Sequence, residues 1–209
     1  MAEVEARKKR KSREGDKRPI SRPTFHQKLE INSLQAQRVM DRNFDRVAKA
    51  LFSTDVILRI IGDRDEVNEV EEIIRNQIEK ASDDIMESSN QLKKLMKDNG
   101  IEDIPGYSAP TSYSIEITSP QIAQYAHLIR SLDNLMILVD TLWLNSVLTG
   151  KQRSDATYQW QQRLLNLASK IIGMERRARN SARNKGKEKE VEREAPKQDE
   201  QEDDTENES

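Results

Sequence analysis

The sequence predicts a mainly α-helical protein with one short two-stranded antiparallel β-ribbon. Two segments, residues 24–31 (TFHQKLEI) and residues 112–118 (SYSIEIT), alternate apolar and polar side chains with the period of a strand. Between and after them, apolar residues recur at helical spacing over long stretches. Each predicted strand is therefore expected to lead directly into helices.

The two predicted strands resemble each other in sequence. LEINS at residues 29–33 matches IEITS at residues 115–119, at an offset of 86 residues. Five positions are few, so an internal pseudo-repeat and a chance match both stay open. The alternation directs one set of side chains into the helical layer: Phe25, Leu29, Ile31, Tyr113, Ile115 and Ile117. It directs another set outward: Thr24, His26, Lys28, Ser112 and Ser114.

Helix starts are predicted from capping residues. Asn32 or Ser33 is expected to cap the helix that follows the first strand. Ser119 as cap, with Pro120 at the first helical position, begins the helix after the second strand. Ser154 is the expected cap of the last helix. Each strand thus passes into its helix through a short polar junction.

Charge divides the chain into three parts. Residues 7–22 contain nine Lys or Arg, whereas residues 188–209 contain eleven Asp or Glu, although the formal net charge is only −2. Neither end shows apolar periodicity. We therefore predict a disordered basic arm (residues 1–23), a single mostly helical domain (24–184) and a disordered acidic tail (185–209).

The composition argues against catalysis and against a membrane span. The chain has no Cys and two His, and it contains none of the glycine-rich phosphate-binding or nucleophilic-serine motifs. Its most apolar segment, residues 128–147, is interrupted by charged side chains. No apolar segment of a signal peptide follows the basic start. We expect a soluble cytoplasmic protein that is not an enzyme and uses no metal, cofactor or small-molecule substrate.

The basic arm and the ribbon together indicate double-stranded DNA as the partner. A two-stranded ribbon fits the major groove, where its outer side chains reach base edges. Ribbon-helix-helix proteins normally assemble this ribbon from two chains, whereas this chain supplies both strands. A ribbon-helix-helix-like core with long helices is therefore predicted. A purely structural hairpin, and a ribbon formed between two chains of a homo-oligomer, are the alternatives.

The candidate DNA-binding residues fall into two sets. Those expected to bind phosphates are the cations of the arm: Arg7, Lys8, Lys9, Arg10, Lys11, Arg13, Lys17, Arg18 and Arg22. Those expected to read bases are the outward ribbon residues: Thr24, His26, Lys28, Ser112 and Ser114. Glu30 and Glu116 share the outward face. Because carboxylates repel phosphates and accept hydrogen bonds from cytosine N4, they favour specific reading over general binding.

Two regions carry a family resemblance. SPQIAQYAHLIRSLDNLMILVDTLWL, followed by YQWQQRLLNLASKI, and the N-terminal REGDKRPISRPTFHQKLEI resemble the AcaB-like proteins of conjugative plasmids and integrating conjugative elements. The resemblance covers roughly residues 13–172. It implies a DNA-binding transcriptional activator of transfer genes, with a ribbon-helix-helix motif, associated with the bacterial nucleoid or plasmid. The alternative function is a helical interaction protein or accessory component of the conjugation machinery.

Overall fold

The chain folds as two successive β-helix-helix halves, followed by a short helix. The computed structural model describes residues 22–62 and 64–196, without the side chains of residues 64–67. The first half consists of β1 (Phe25–Ile31), α1 (Leu34–Val39), a π-helical segment (Met40–Phe44), α2 (Asp45–Ile61) and α3 (Arg64–Asp98). The second half consists of β2 (Thr111–Ile117), α4 (Pro120–Leu144) and α5 (Gly150–Asn184). The short helix α6 (Glu188–Glu194) follows.

The ribbon forms within one chain, as predicted. β1 and β2 pair antiparallel, with Phe25 opposite Ile117 at one end and Ile31 opposite Thr111 at the other. Lys28 lies opposite Ser114 at the centre. Ser114 also follows Lys28 by 86 residues, the offset of the pseudo-repeat. Equivalent residues therefore meet at the centre of the ribbon, as they do on the two-fold axis of a symmetric dimer.

Equivalent serines begin the helices that follow the strands. The Ser33 side chain accepts a hydrogen bond from the backbone N–H of Ala36 at 3.4 Å. The Ser119 side chain accepts one from the N–H of Ile122 at 3.3 Å. Each bond satisfies one of the donors that a helix N-terminus leaves free. The two caps confirm the predicted helix starts, and their equivalent positions agree with an internal pseudo-repeat.

The helices of the two halves pack across each other. α3 of the first half lies mainly against α4 of the second, and α2 lies mainly against α5. One continuous core joins β1, β2 and these four helices. α4 is buried on most of its circumference and contributes Leu128, Ile129 and Leu132 among the fully buried side chains. Neither half therefore has a hydrophobic core of its own, and the ribbon rests on helices from both.

A buried carboxylate fastens α4 to the junction between β1 and α1. Asp133 is 2% exposed, and its Oδ1 accepts a hydrogen bond from the backbone N–H of Ser33 at 2.7 Å. Its Oδ2 accepts from the backbone N–H and the side-chain amide of Asn32, both at 3.1 Å. A negative charge at a helix N-terminus is favourable because it complements the partial positive charge of the exposed N–H groups. Asp133 thus holds the end of β1 in place from the opposite half.

The C-terminal boundary differs from the prediction. Residues 188–194, assigned to the disordered acidic tail, form α6, which packs against α2 and α5. Val191 is 3% exposed and belongs to a small cluster with Ile57, Ala178 and Ala182. A single valine in a charged helix gives almost no apolar periodicity, so the sequence pattern alone does not reveal this packing. The arm up to residue 21 and the tail from residue 197 lie outside the described residues.

The start of α5 also differs from the prediction. Thr149, and not Ser154, is the cap, and it forms a capping box with Gln152. The N–H of Gln152 donates to Thr149 Oγ1 at 3.2 Å, and the N–H of Thr149 donates to Gln152 Oε1 at 2.8 Å. Because this reciprocal pair satisfies donors at both positions, the helix is capped about one and a half turns before Ser154.

Candidate nucleic-acid interface

The outer face of the ribbon presents six exposed polar side chains in three cross-strand pairs. His26 lies opposite Glu116, Lys28 opposite Ser114, and Glu30 opposite Ser112. Directly opposed side chains in an antiparallel pair lie about 5 Å apart, so each pair offers its polar groups to the same small area. Lysine donates to guanine, glutamate accepts from cytosine, and serine does either. The face therefore has the donors and acceptors that reading base edges requires.

The helical layer covers the inner face of the ribbon except at the first residue of each strand. Leu29 and Ile115 are each 4% exposed and Ile31 is fully buried, as the alternation predicts. Phe25 was expected to point into the helices, and this is wrong, because its side chain is 76% exposed. Phe25 is the first residue of β1, and Thr111, its equivalent in β2, is exposed as well. The helices thus cover the ends of both strands but neither start.

Four of the five predicted base-reading residues lie exposed on this one face: His26, Lys28, Ser112 and Ser114. Thr24 does not belong to the ribbon. The strand begins one residue later, at Phe25, and the Thr24 side chain is half-buried. Glu30 and Glu116 are also exposed on this face, as the strand alternation predicted.

A tyrosine on the inner face fastens β2 to the π-helical segment. Tyr113 Oη donates a hydrogen bond to Asp41 Oδ1 at 2.8 Å. Burial, and the hydrogen bond to the Asp41 carboxylate, raise the pKa of Tyr113 from 10.0 to about 12. One turn earlier in α1, Gln37 Nε2 donates to the carbonyl oxygens of Ile31 at 3.1 Å and Ala109 at 2.9 Å. The π-helical segment is therefore joined to β2 itself, and α1 is joined to the end of β1 and to the residues just before β2.

Replacing Tyr113 with phenylalanine is expected to lower the free energy of unfolding by about 1 kcal/mol at neutral pH, because one hydrogen bond is lost. The bond needs the protonated phenol. Since folding raises the pKa of Tyr113 to about 12, its contribution is complete below pH 10 and is lost as the pH rises through 12. Urea unfolding of both proteins across this range measures the difference, which should shrink with pH. Tyr158→Phe, at a position 65% exposed, should change nothing; a difference independent of pH would contradict the assignment.

Arg22 is the one arm cation that the structure describes, and it lies in an internal contact. Its guanidinium lies 4.5 Å from the ring centroid of Phe52, and its Nη2 is 3.9 Å from Glu194 Oε2. The same carboxylate accepts a hydrogen bond from Arg59 at 3.0 Å. The structure thus gives Arg22 a different environment from the predicted free phosphate contact. The other eight predicted arm residues lie outside the described part of the chain.

The outer face of the ribbon carries little positive charge. Lys28 contributes one positive charge, and the carboxylates of Glu30 and Glu116 contribute two negative charges, so these three side chains sum to −1. Non-specific affinity for DNA comes almost entirely from cations that neutralise phosphates. A face with this charge cannot by itself supply affinity for phosphates.

Two further properties of the described residues bear on function. Within residues 22–62 and 64–196, no helix is long and apolar enough to cross a membrane. Among these described residues, no group of three or more His, Asp or Glu side chains is arranged to hold a metal ion.

These features define a class of protein: a β-helix-helix pseudo-dimer in which two halves of one chain pair their strands into a single ribbon. The fold and the sequence are similar to those of AcaB from uropathogenic E. coli, known from a crystal structure. The two chains are 62% identical, with a TM-score of 0.84, over 86% of this chain and 93% of that one. The protein belongs to the AcaB family. No protein-family model matches the chain, and a search of curated proteins found no match.

Proposed function

We propose that the protein is a sequence-specific DNA-binding regulator that activates conjugative-transfer genes of a mobile element. Its partner is double-stranded DNA at the promoters of these genes, and it works in the bacterial cytoplasm at the nucleoid or plasmid. The observation that carries the proposal is the antiparallel ribbon, with a polar outer face centred on Lys28 and Ser114. Membership of the AcaB family supports the link to conjugation, which the family resemblance implies.

The proposed mechanism follows the geometry of a ribbon-helix-helix protein, with both strands supplied by one chain. The ribbon enters the major groove with its outer face towards the bases. Two anchors keep the ribbon rigid on its helical layer. Asp133 holds the end of β1, and Tyr113 holds β2 against the π-helical segment. Because base contacts are short and directional, a ribbon fixed in this way discriminates better than a mobile one.

The division of labour between the two residue sets follows from charge. The basic arm, with eight cations between Arg7 and Arg18, neutralises phosphates of any sequence. Lys28, Ser114 and their neighbours on the outer face distinguish one sequence from another. The carboxylates of Glu30 and Glu116 can accept a hydrogen bond from the amino group of cytosine. A site without a cytosine at that place leaves them without a donor, which increases the discrimination between DNA sequences.

Lys28→Ala and Ser114→Ala are each expected to weaken binding to the specific site about five- to a hundredfold, because one good base contact contributes about 1 to 3 kcal/mol of discrimination. Chromatin immunoprecipitation from cells carrying the parent element supplies the specific fragment. Fluorescence anisotropy then compares this fragment with a random duplex of equal length. Thermal stability should stay nearly unchanged, since both side chains are exposed.

Lys93→Ala is the matched control, because Lys93 is exposed on α3, outside the ribbon. It should bind the specific fragment as tightly as the unaltered protein does. Equal affinity of the unaltered protein for specific and random duplexes would overturn the proposal. Such a result would favour the other function, a helical interaction protein or accessory component of the conjugation machinery.

A further inference from the structure

We propose that Arg38, Arg42 and Arg46 form a second DNA-contacting surface, an arginine row that binds phosphates beside the ribbon. This inference rests on the proposed DNA-binding function and adds residues to it. All three side chains are exposed, and they occupy α1, the π-helical segment and α2 in turn. None of them forms an ion pair with another described residue. Their charge is therefore available to an external anion.

The π-helical segment brings the three arginines onto one line. An unbroken α-helix turns about 100° per residue, so eight residues would leave Arg46 about 80° round the axis from Arg38. The segment Met40–Phe44 widens one turn by about one residue. The extra residue reduces the rotation about the helix axis by about 100°. Arg38 and Arg46 then differ by only about 20° in their direction from the axis. Successive arginines then lie about 6 Å apart along the axis.

The row lies beside the ribbon because the same helical stretch is fastened to β2. The π-helical segment contributes both Arg42 and Asp41, and Asp41 accepts the hydrogen bond of Tyr113 in β2 at 2.8 Å. Arg38 directly follows Gln37, which donates to the carbonyl oxygen of Ala109, two residues before β2. A ribbon in the major groove has a phosphate backbone along each of its edges. The arginine row is placed to meet the backbone along the β2 edge.

The local charge balance favours an anionic partner. Residues 38–49 carry four cations and the two carboxylates of Asp41 and Asp45. One of these carboxylates, that of Asp41, is turned towards Tyr113. The arginine row thus supplies positive charge that the outer face of the ribbon lacks. Arginine suits this role because its planar guanidinium binds two phosphate oxygens at once.

The second half has no counterpart of this row. The position equivalent to Arg38 is Gln124, 86 residues further along. Beyond the extra residue of the π-helical segment, the position equivalent to Arg46 is Ser131, so neither counterpart is charged. The proposed phosphate contact is therefore one-sided. It gives the pseudo-symmetric ribbon a preferred orientation on DNA, with closer backbone contact on the side of the first half.

The test compares the triple variant Arg38→Gln, Arg42→Gln, Arg46→Gln with the unaltered full-length chain. Anisotropy with a random duplex gives the slope of log K against log salt concentration. Each phosphate contact contributes about 0.9 to this slope, so losing the row should reduce its magnitude by about 2 to 3. The replacement Arg42→Lys should retain the slope, because it keeps the charge.

The matched control is Lys93→Gln, Lys94→Gln, Lys97→Gln, which removes three exposed cations from α3 and should leave the slope unchanged. Equal slopes for the arginine variant and the unaltered chain would overturn the inference while leaving the proposed function intact. A chain with no salt-dependent binding at all would overturn both. Hydroxyl-radical footprinting on the specific fragment is the second readout, and the arginine variant should lose protection on one side of the site only.

Discussion

Asp133→Ala is expected to lower the free energy of unfolding by about 3 to 5 kcal/mol. The carboxylate is 2% exposed and accepts hydrogen bonds from the two backbone N–H groups of Asn32 and Ser33 and from the Asn32 side-chain amide. Each donor left without an acceptor costs about 1 to 3 kcal/mol, although water can reach the half-buried Asn32. Urea unfolding followed by circular dichroism measures the loss.

Two further variants make the Asp133 result specific. Asn134→Ala changes the next residue of α4, whose side chain is exposed, and should change the stability by less than about 0.5 kcal/mol. Asp133→Asn keeps one acceptor oxygen, so its loss of stability should lie between those of Asn134→Ala and Asp133→Ala. An alanine variant as stable as the unaltered protein would mean that the carboxylate does not hold the β1–α1 junction.

Ile115→Ala is expected to lower the free energy of unfolding by about 2 to 5 kcal/mol. Ile115 is 4% exposed, lies next to the central residue of β2 and packs into the core that both halves share. Truncation removes buried apolar surface and leaves a cavity that the surrounding helices can fill only in part. Because α3–α4 and α2–α5 packing joins the halves, the loss should appear in one cooperative transition.

Ser114→Ala, at the adjacent outward position, is the control for Ile115→Ala. It should leave the unfolding transition nearly unchanged while weakening specific DNA binding. The two neighbouring residues therefore separate stability from recognition. Equal stability of Ile115→Ala and Ser114→Ala would contradict the packing of Ile115 against the helices.

Local signals in the sequence were enough to predict the strands and the first helix caps. The alternation through Leu29, Ile31 and Ile115 identifies the buried face without knowledge of the partner strand. Ser33 and Ser119 are likewise recognisable because a cap bonds within its own first turn. Phe25 shows the limit of this reasoning, since alternation gives the side of the sheet but not the extent of the layer that covers it.

Features selected by distant contacts were not predictable in the same way. Asp133 looked only like an interruption in an apolar helix, because its partners lie about 100 residues earlier in the chain. α6 is charged throughout except for Val191, and its packing depends on a small apolar surface formed by α2 and α5.

The arginine row was hidden for a related reason. In an ordinary α-helix, side chains spaced four residues apart rotate gradually around the axis. The π-helical segment brings these three arginines onto one side. A π turn has no strong sequence signal. Here it is accompanied by the contact between Asp41 and Tyr113, which lie 72 residues apart.

Having both strands of the ribbon in one polypeptide has a consequence for gene dosage. A homodimeric ribbon forms only when the concentration of subunits exceeds their dissociation constant, so its activity falls steeply when few copies are present. In a single chain the pairing of β1 with β2 needs no second subunit, because the two halves are already at a high effective concentration. It also frees the two strands to mutate separately. Lys28 and Ser114, which would have to be identical in a homodimer, already differ at the centre of the ribbon; under the proposed DNA-binding function, a palindromic site is therefore not required.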